Sequence, residues 1–452
     1  MKNISVFMNT HFPTSGKKLL LFIFIFNFAT YNVWRDWRSD NRTPFVSDAD
    51  QYYSYVVATF IYHDLSFSFQ HQYWLAKAPN GALVPKVSMG LAYLMAPFFG
   101  ISHLVALTTN KVADGYSAPY AFGIYYSIIL IVFLGLFYLR KILIRYFTEE
   151  VSTLTIASIY FGTNLFYYTL GWNTLAHAYL FTLFVFFLYF TLRWYDTFKL
   201  KYLILLSLTF GLSVLIRPTE IVIAFVPLLY GIRTFKDIKE RIIFLWNKKL
   251  HLLIAAFFFV LPWIPQMIYW KIYTDQFLFY SYGNEGFYFS NPQFYNVLLG
   301  FRKGWLIYTP MMIFSLAGFF IFKKKCPDLF WGILIVFLIT FYLISAWWAW
   351  WWGGCFGMRA LIQLYAFLAF PMAAFYSYVL EKKRKKLLIG VMSFFIFYNL
   401  YQTYRYRATV IHWDSMTKEA FWWGIFKVHM SDQDKLEIKP LLDPPDYSKR
   451  GQ

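Results

Sequence analysis

Apolar stretches separated by short polar ones dominate this chain. They fall at 19–37, 87–107, 119–139, 151–171, 174–195, 202–216, 219–232, 250–270, 304–322, 330–350, 359–380 and 387–404. Most come close to the roughly 20 apolar residues that carry a helix across about 30 Å of hydrocarbon. Helices satisfy their own backbone hydrogen bonds in lipid, so the pattern predicts an all-α polytopic membrane protein. It leaves no room for a separate soluble domain of ordinary size.

The polar breaks set the orientation. Lysine and arginine concentrate at 140–145 (RKILIR), 196–201 (DTFKLK), 233–249, 323–325 (KKK) and 382–386 (KKRKK). If all twelve stretches crossed, three of these loops would face outward, against the bias of basic residues toward the cytoplasm. The stretch 87–107 fits a crossing least, because Pro97 and Gly100 interrupt it; a segment of that kind suits an interfacial or re-entrant position. Set aside, it leaves about eleven spans and places every strongly basic loop inside. The outer face then holds a long first loop at about 38–118, the turn at Trp172 and Asn173, the RPTE turn at 217–220, the 271–303 loop, the Trp-rich 351–358 turn and a tail from 405 to 452. The expected organisation is a membrane unit over 1–404 and an outer tail over 405–452. Lys17 and Lys18 precede the first apolar run without a small-x-small cleavage site after it, which favours an uncleaved span.

Composition agrees: 59% of the residues are hydrophobic and 14% charged, against about a quarter charged in soluble domains. The net charge of +19 sits in loops between spans, so it reports topology and no nucleic-acid partner is expected. Cys326 and Cys355 fall on opposite faces and cannot pair. No CxxC or HExxH zinc pattern occurs.

Several polar residues collect on the predicted outer face. Asp48 and Asp50 (SDADQYYSYVV) lie beyond the first span, where a carboxylate lining a hydrated cavity can act as a general base; solvated loop acids or a helix cap would use the same residues. Arg217, Arg302 and Arg359 sit at span ends on that side and suit phosphate oxygens, or equally lipid headgroups by snorkelling. Lys86 joins them, as do the outer arginines 35, 38 and 42. His177 opens a span, where a structural histidine is the commoner outcome, and Glu285 offers a second acid. His63, Asp64 and His71 have no specific metal-ligand spacing. The five tryptophans of AWWAWWWGG form an interfacial belt or a stacking wall for a sugar or lipid.

The order SDADQYYSYVVATFIYHDL, PKVSMGLAYLMAPFFG, LIRPTE, FRKGWLIYTP, WWAWWWGGCFGMRAL and WDSMTKEAFWWGIF resembles the GT-C membrane glycosyltransferases, which include protein O-mannosyltransferases and lipid A aminoarabinose transferases. The resemblance implies Asp48 as the first-loop catalytic acid, with Asp50 its nearest competitor. Lys86 resembles the lysine of a lysine-proline segment, although here the proline precedes it. The resemblance further implies a polyprenyl-phosphate sugar donor and a glycan, lipid or protein acceptor. It also implies inverting transfer at the outer face of a bacterial inner membrane. Some relatives use a divalent metal; this sequence offers no clear ligand set, so no cofactor is assigned. A transporter or flippase of polyprenyl-linked sugars is the alternative, but it predicts internal repeats that the sequence does not show.

Overall fold

A computed structural model describes residues 14–34, 45, 48–69, 75–172 and 174–449. The arginines at 35, 38 and 42 and His71 lie outside the described residues. Helix α1 (Ser15–Trp34) is followed by α2 (Asp48–Val57), a π-helical turn over Ala58–Tyr62, and a short hairpin of β1 (Leu75–Lys77) and β2 (Leu83–Pro85). Next come α3 (Gly90–Thr108), α4 (Ala118–Leu143), α5 (Glu149–Phe161), α6 (Leu165–Leu170), α7 (Ala176–Thr197) and α8 (Leu200–Ile216). A 3-10 segment over Pro218–Ala224 leads into α9 (Phe225–Leu229), then α10 (Phe235–Asn247), α11 (Lys249–Val260), α12 (Ile264–Thr274) and α13 (Phe294–Leu299). The chain continues through α14 (Trp305–Tyr308), α15 (Ile313–Lys325), α16 (Pro327–Ala346), a 3-10 segment over Arg359–Leu364, α17 (Tyr365–Glu381) and α18 (Lys385–Arg407), and ends with α19 (Lys418–Trp423) and α20 (Asp432–Ile438).

Each predicted apolar stretch is helical. Among the described residues, seven helices are long and apolar enough to cross a membrane; two other predicted stretches are interrupted by non-helical residues at 162–164 and at 309, and two more, Leu200–Ile216 and Pro218–Leu229, are shorter. Helix α3 is one of the seven. It contains Pro97, presents Ile101, Leu104 and Leu107 outward, and packs on α2 and α4.

The core lies between α7, α15 and α17. In the most apolar 18-residue window of the 359–381 run 89% of the residues are buried, against 11% for that of the 249–274 run. Small residues permit the closest approach. A Cβ at Gly318 in α15 would fall within the van der Waals radius of the Pro371 carbonyl oxygen of α17, and Ser315 Oγ donates to Leu368 O at 2.9 Å on the same face. Such small-residue contacts drive helix association where lipid offers no hydrophobic gain.

Ion pairs gather the basic loops at one end of the bundle. Arg145 meets Asp196 at 2.5 Å, Arg233 meets Asp328 at 2.6 Å, Lys385 meets Glu150 at 2.6 Å, and Lys325 pairs with Glu381. The loops at 140–145, 196–201, 233–249, 323–325 and 382–386 therefore share one face, as the charge pattern predicts.

Candidate functional site

At the opposite end, six of the sequence-predicted residues converge. Asp48 opens α2, where the exposed N–H groups of the first turn favour a carboxylate. Its Oδ2 lies 3.7 Å from Arg359 Nη2, with the carboxylate side chain 43% exposed and the guanidinium 12%. Arg359 begins the 3-10 segment that leads into the buried α17. Asp48 thus stands on the solvent side of the pair and Arg359 on the buried side.

Arg217 terminates α8, and a guanidinium cannot accept a hydrogen bond. Its Nη1 lies 3.1 Å from His177 Nδ1 and asks that nitrogen to accept, whereas the acceptor Gln363 Oε1 on its other side asks it to donate. Gln363 Oε1 lies 3.2 Å from the same nitrogen, and Gln363 Nε2 donates to Glu220 Oε1 at 2.9 Å. Arg217 Nε is 3.7 Å from that carboxylate. Arg217 also covers one face of the Trp352 indole at 4.6 Å, and Trp347 stacks at 5.9 Å. At Trp352, then, a sugar or lipid ring would have to share the indole with Arg217 and Trp347.

Lys86 is held from several directions. Its backbone N–H donates to Gln51 Oε1 of α2 at 2.7 Å, its carbonyl accepts from Ser281 Oγ at 2.5 Å, and its ammonium meets Glu285 at 2.5 Å. Glu285 also accepts from Trp348 Nε1 at 2.9 Å, while the Lys86 ammonium rests 4.8 Å over the Tyr282 ring. Burial and then the Asp48 carboxylate push the Tyr282 phenol up to about 12. Tyr52 is raised for the same first reason, with Tyr282 and Asp48 adding to it and Arg217 and Arg359 opposing. These mutual influences put Asp48, Arg217, Arg359, Tyr52, Tyr282 and Glu285 around one space.

Asp50 and Arg302 point elsewhere. Two residues along a helix turn a side chain by about 200°, so Asp50 faces away from Asp48 and acts on the buried Tyr53 on the Asp114 side. Arg302 is committed to the tail: it donates to Asp414 O at 2.9 Å and to Asp443 at 2.7 Å. Its neighbour Lys303, 1% exposed, donates to the carbonyls of Cys355 and Trp413. Burial lowers its pKa from the usual lysine range.

The Trp-rich turn that carries Arg359 is bent by unusual backbone. Trp352 has φ 58°, and Gly353 and Gly357 have φ 67° and 58°. A bulky residue in the left-handed region is rare, and such conformations cluster at functional sites. At Gly357 a side chain would also press on Tyr308 Cβ at 3.0 Å.

Among the described residues no three His, Cys, Asp or Glu side chains converge as metal ligands. Asp64 is occupied by the hydroxyls of Ser66 and Ser68, which hold its pKa down at about 2.

No family model matches the chain, and no curated protein does. Solved structures do. ArnT from Cupriavidus metallidurans bound to undecaprenyl phosphate superposes with TM-score 0.50 at 12% identity, over 80% of this chain and 60% of that one. The apo state of the same protein gives TM-score 0.50 at 11% identity over 81% and 62%. The fold is that of the GT-C membrane glycosyltransferases. The chain spans about 60% of the length of the ArnT chain.

Sequence reasoning passed over Glu220, Gln363 and Tyr282. Glu220 stood in the open: RPTE places an arginine and a glutamate three residues apart at a span end, and so large an ionisable group there demands a partner. Gln363 and Tyr282 carry no such signal.

Proposed function

We propose that the chain is an inverting glycosyltransferase that moves a sugar from a polyprenyl phosphate to an acceptor hydroxyl. Asp48 beside Arg359 at 3.7 Å carries the reading: a base open to solvent next to a buried cation that can hold an anion. The GT-C fold, and the undecaprenyl phosphate bound by the ArnT neighbour, support the donor class.

In this scheme Asp48 accepts the proton of the acceptor hydroxyl as its oxygen forms a bond to the anomeric carbon. The bond from that carbon to the phosphate oxygen breaks, and its electron pair leaves on the polyprenyl phosphate. Arg359, Arg217 and Lys86 stabilise the charge that develops there. One displacement inverts the anomeric centre. Asp50 is the weaker candidate for the base, because it lies across the helix from Arg359. Arg302 passes from phosphate contact to holding the tail.

Orientation follows from the charge pattern. With the paired basic loops in the cytoplasm, about eleven spans and α3 at the interface, the chamber opens to the periplasmic face of a bacterial inner membrane. The unit over 1–404 carries the chemistry, and 405–452 caps it from outside.

The test is transfer from undecaprenyl-phosphate sugars by the purified protein in nanodiscs. Asp48→Asn is expected to lower turnover by about 10²–10⁴-fold, while Asp50→Asn stays within about tenfold of wild type. Undiminished turnover in Asp48→Asn would remove the base from this scheme.

A further inference from the structure

The basic connection at 233–249 folds as α10, and α10 has no buried residue. Thr234 and Asp237 form a capping box at its start. One side is fixed to the end of α7. The Phe244 ring lies 5.6 Å from Phe198 and 6.2 Å from Trp194, while Arg241 covers Tyr195 at 4.6 Å and donates to Tyr230 O. With Arg233 paired to Asp328 just before it, α10 belongs to the basic end of the bundle, away from the chamber at Asp48.

Its far side is apolar. At 3.6 residues per turn Phe235, Ile238, Ile242 and Trp246 fall within about 80° of one another, with Phe244 on the opposite side. All four are exposed, Phe235 by 92%, Ile242 by 63% and Trp246 by 77%. Apolar side chains scattered singly over a surface are ordinary, but a continuous stripe of large ones marks an interaction surface. The stripe runs on into α11, where Leu250, Leu253 and Phe257 are exposed too. There the chain enters the 249–274 run, long and apolar enough to cross a membrane, so one apolar covering serves both helices.

Charge identifies the covering. Six basic residues and two acids fall between 233 and 249, and both acids are engaged: Asp237 accepts from the backbone N–H groups of Arg233 and Thr234 at 2.7 and 2.8 Å, and Glu240 lies 3.7 Å from Lys236. Lys239 and Lys249 are exposed. Lys239 falls beside Trp246 on the helix, where its stem can follow the stripe while its ammonium reaches past it. A basic amphipathic helix with tryptophan in its apolar face suits a membrane interface, and its lysines suit anionic headgroups. We propose that α10 lies in the headgroup layer of the cytoplasmic leaflet, with the stripe turned toward the acyl chains and Lys236, Lys239, Lys248 and Lys249 on anionic lipid. This goes beyond the glycosyl-transfer reading and uses none of its residues.

Spin labelling of the full chain in nanodiscs tests it. Cys326 and Cys355 are buried, so the nitroxide goes to the introduced cysteine of Ile242→Cys, Trp246→Cys, Lys236→Cys or Glu240→Cys, each at an exposed position. In bilayers of phosphatidylcholine with phosphatidylglycerol, labels at 242 and 246 should collide several-fold more with oxygen than with a water-soluble nickel chelate, and labels at 236 and 240 the reverse. Each lysine near an anionic surface shifts such an equilibrium about fivefold. Phosphatidylcholine alone should therefore move the 242 label toward the nickel reagent. Lys236→Gln, Lys239→Gln, Lys248→Gln and Lys249→Gln combined should move it equally with phosphatidylglycerol present. Nickel-dominated collisions at 242 in the mixed bilayer would put the stripe in water and overturn the proposal. Few collisions with either reagent would mean that a protein or a second copy covers the stripe, and would overturn it as well. So would a depth at 242 that ignores phosphatidylglycerol. Undiminished turnover in Asp48→Asn sinks the catalytic scheme without touching these collisions, so the two failures are distinguishable.

Discussion

Removing the Lys303 ammonium tests whether the tail and the Arg359 turn form one unit. Its Nζ donates to the carbonyl oxygens of Cys355, in the Trp turn, and Trp413, in the tail. The Cys355 N–H donates to the same Trp413 oxygen at 3.0 Å. In Lys303→Met that oxygen keeps one partner, whereas the Cys355 oxygen loses its ammonium. Two hydrogen bonds from a charged donor contribute about 1.5–3 kcal/mol each, and the methionine recovers part of this because no buried charge remains to be desolvated. A net loss of about 2–3 kcal/mol is expected, confined to the tail, since Arg302 still holds Asp414 O and Asp443. Limited proteolysis in nanodiscs reads it directly. Cleavage within 408–449 should rise about 30- to 150-fold if it follows the population of the open tail. The unfolding midpoint of the helical bundle should move little, and turnover should fall because Arg359 loses a braced turn. Tail cleavage at the wild-type rate would refute the reasoning, since Lys303 would then hold nothing that the neighbouring contacts do not hold without it.

Three further outcomes follow from the same geometry. Gly318→Ala should lower the unfolding midpoint in detergent by the equivalent of at least about 2 kcal/mol, because the new methyl overlaps the Pro371 carbonyl; Gly390→Ala, which meets nothing within 4 Å, is the control and should be neutral or slightly stabilising. Asp48→Asn should leave that midpoint unchanged by differential scanning fluorimetry, since an ion pair whose carboxylate is 43% exposed contributes at most about 1 kcal/mol. Asp414 is subject to burial, which raises its pKa, but hydrogen bonds from His412, Ser415 and Tyr447 outweigh that and hold it below the usual value. Its stabilisation of the tail is therefore complete above about pH 4 and is lost as the pH falls through the lowered value. Pepsin should cut the tail progressively faster from pH 4 to pH 2 relative to an unstructured reference peptide, and a flat ratio would count against it.

The helices were legible because membrane spans write their length and apolarity directly into sequence, so among the described residues the apolar stretches from 19 to 404 reappear as helix, apart from breaks such as 162–164, 309 and 347–350. The shared face of the basic loops was legible for the same reason: the lysines and arginines at 140–145 and 382–386 mark it without any tertiary information. The site was legible only by residue type. Asp48, Lys86, His177, Arg217, Glu285 and Arg359 are brought together, whereas sequence kept Asp50 as the nearest competitor of Asp48, and it is the α2 helix that sends them to opposite faces. Arg302 was misplaced because its partners, Asp414 O and Asp443, lie more than a hundred residues away, in a tail whose packing no local pattern predicts. Glu220 and Gln363 are joined across 143 positions, a distance over which periodicity is silent.

Burial of the outer helices is lopsided, and this has a mechanical consequence. In the most apolar 18-residue window of Lys249–Thr274 11% of the residues are buried, against 89% for that of Arg359–Glu381, yet both halves of the first run are attached. Gln266 accepts from Met89 N, Tyr269 and Trp270 are buried, and Trp263 donates to Gly211 O. Between this anchored part and α11 lies the 3-10 kink at Leu261–Trp263. α11 itself packs on α8, where Phe210 and Phe259 meet at 4.8 Å and a Cβ at Gly211 would lie 2.1 Å from Phe259 O, so movement about the kink has to break this close contact, as shifting α17 would tear open the densest part of the molecule. The run is thus gripped along one narrow edge, at Gly211 and at Met89, while most of its surface faces outward.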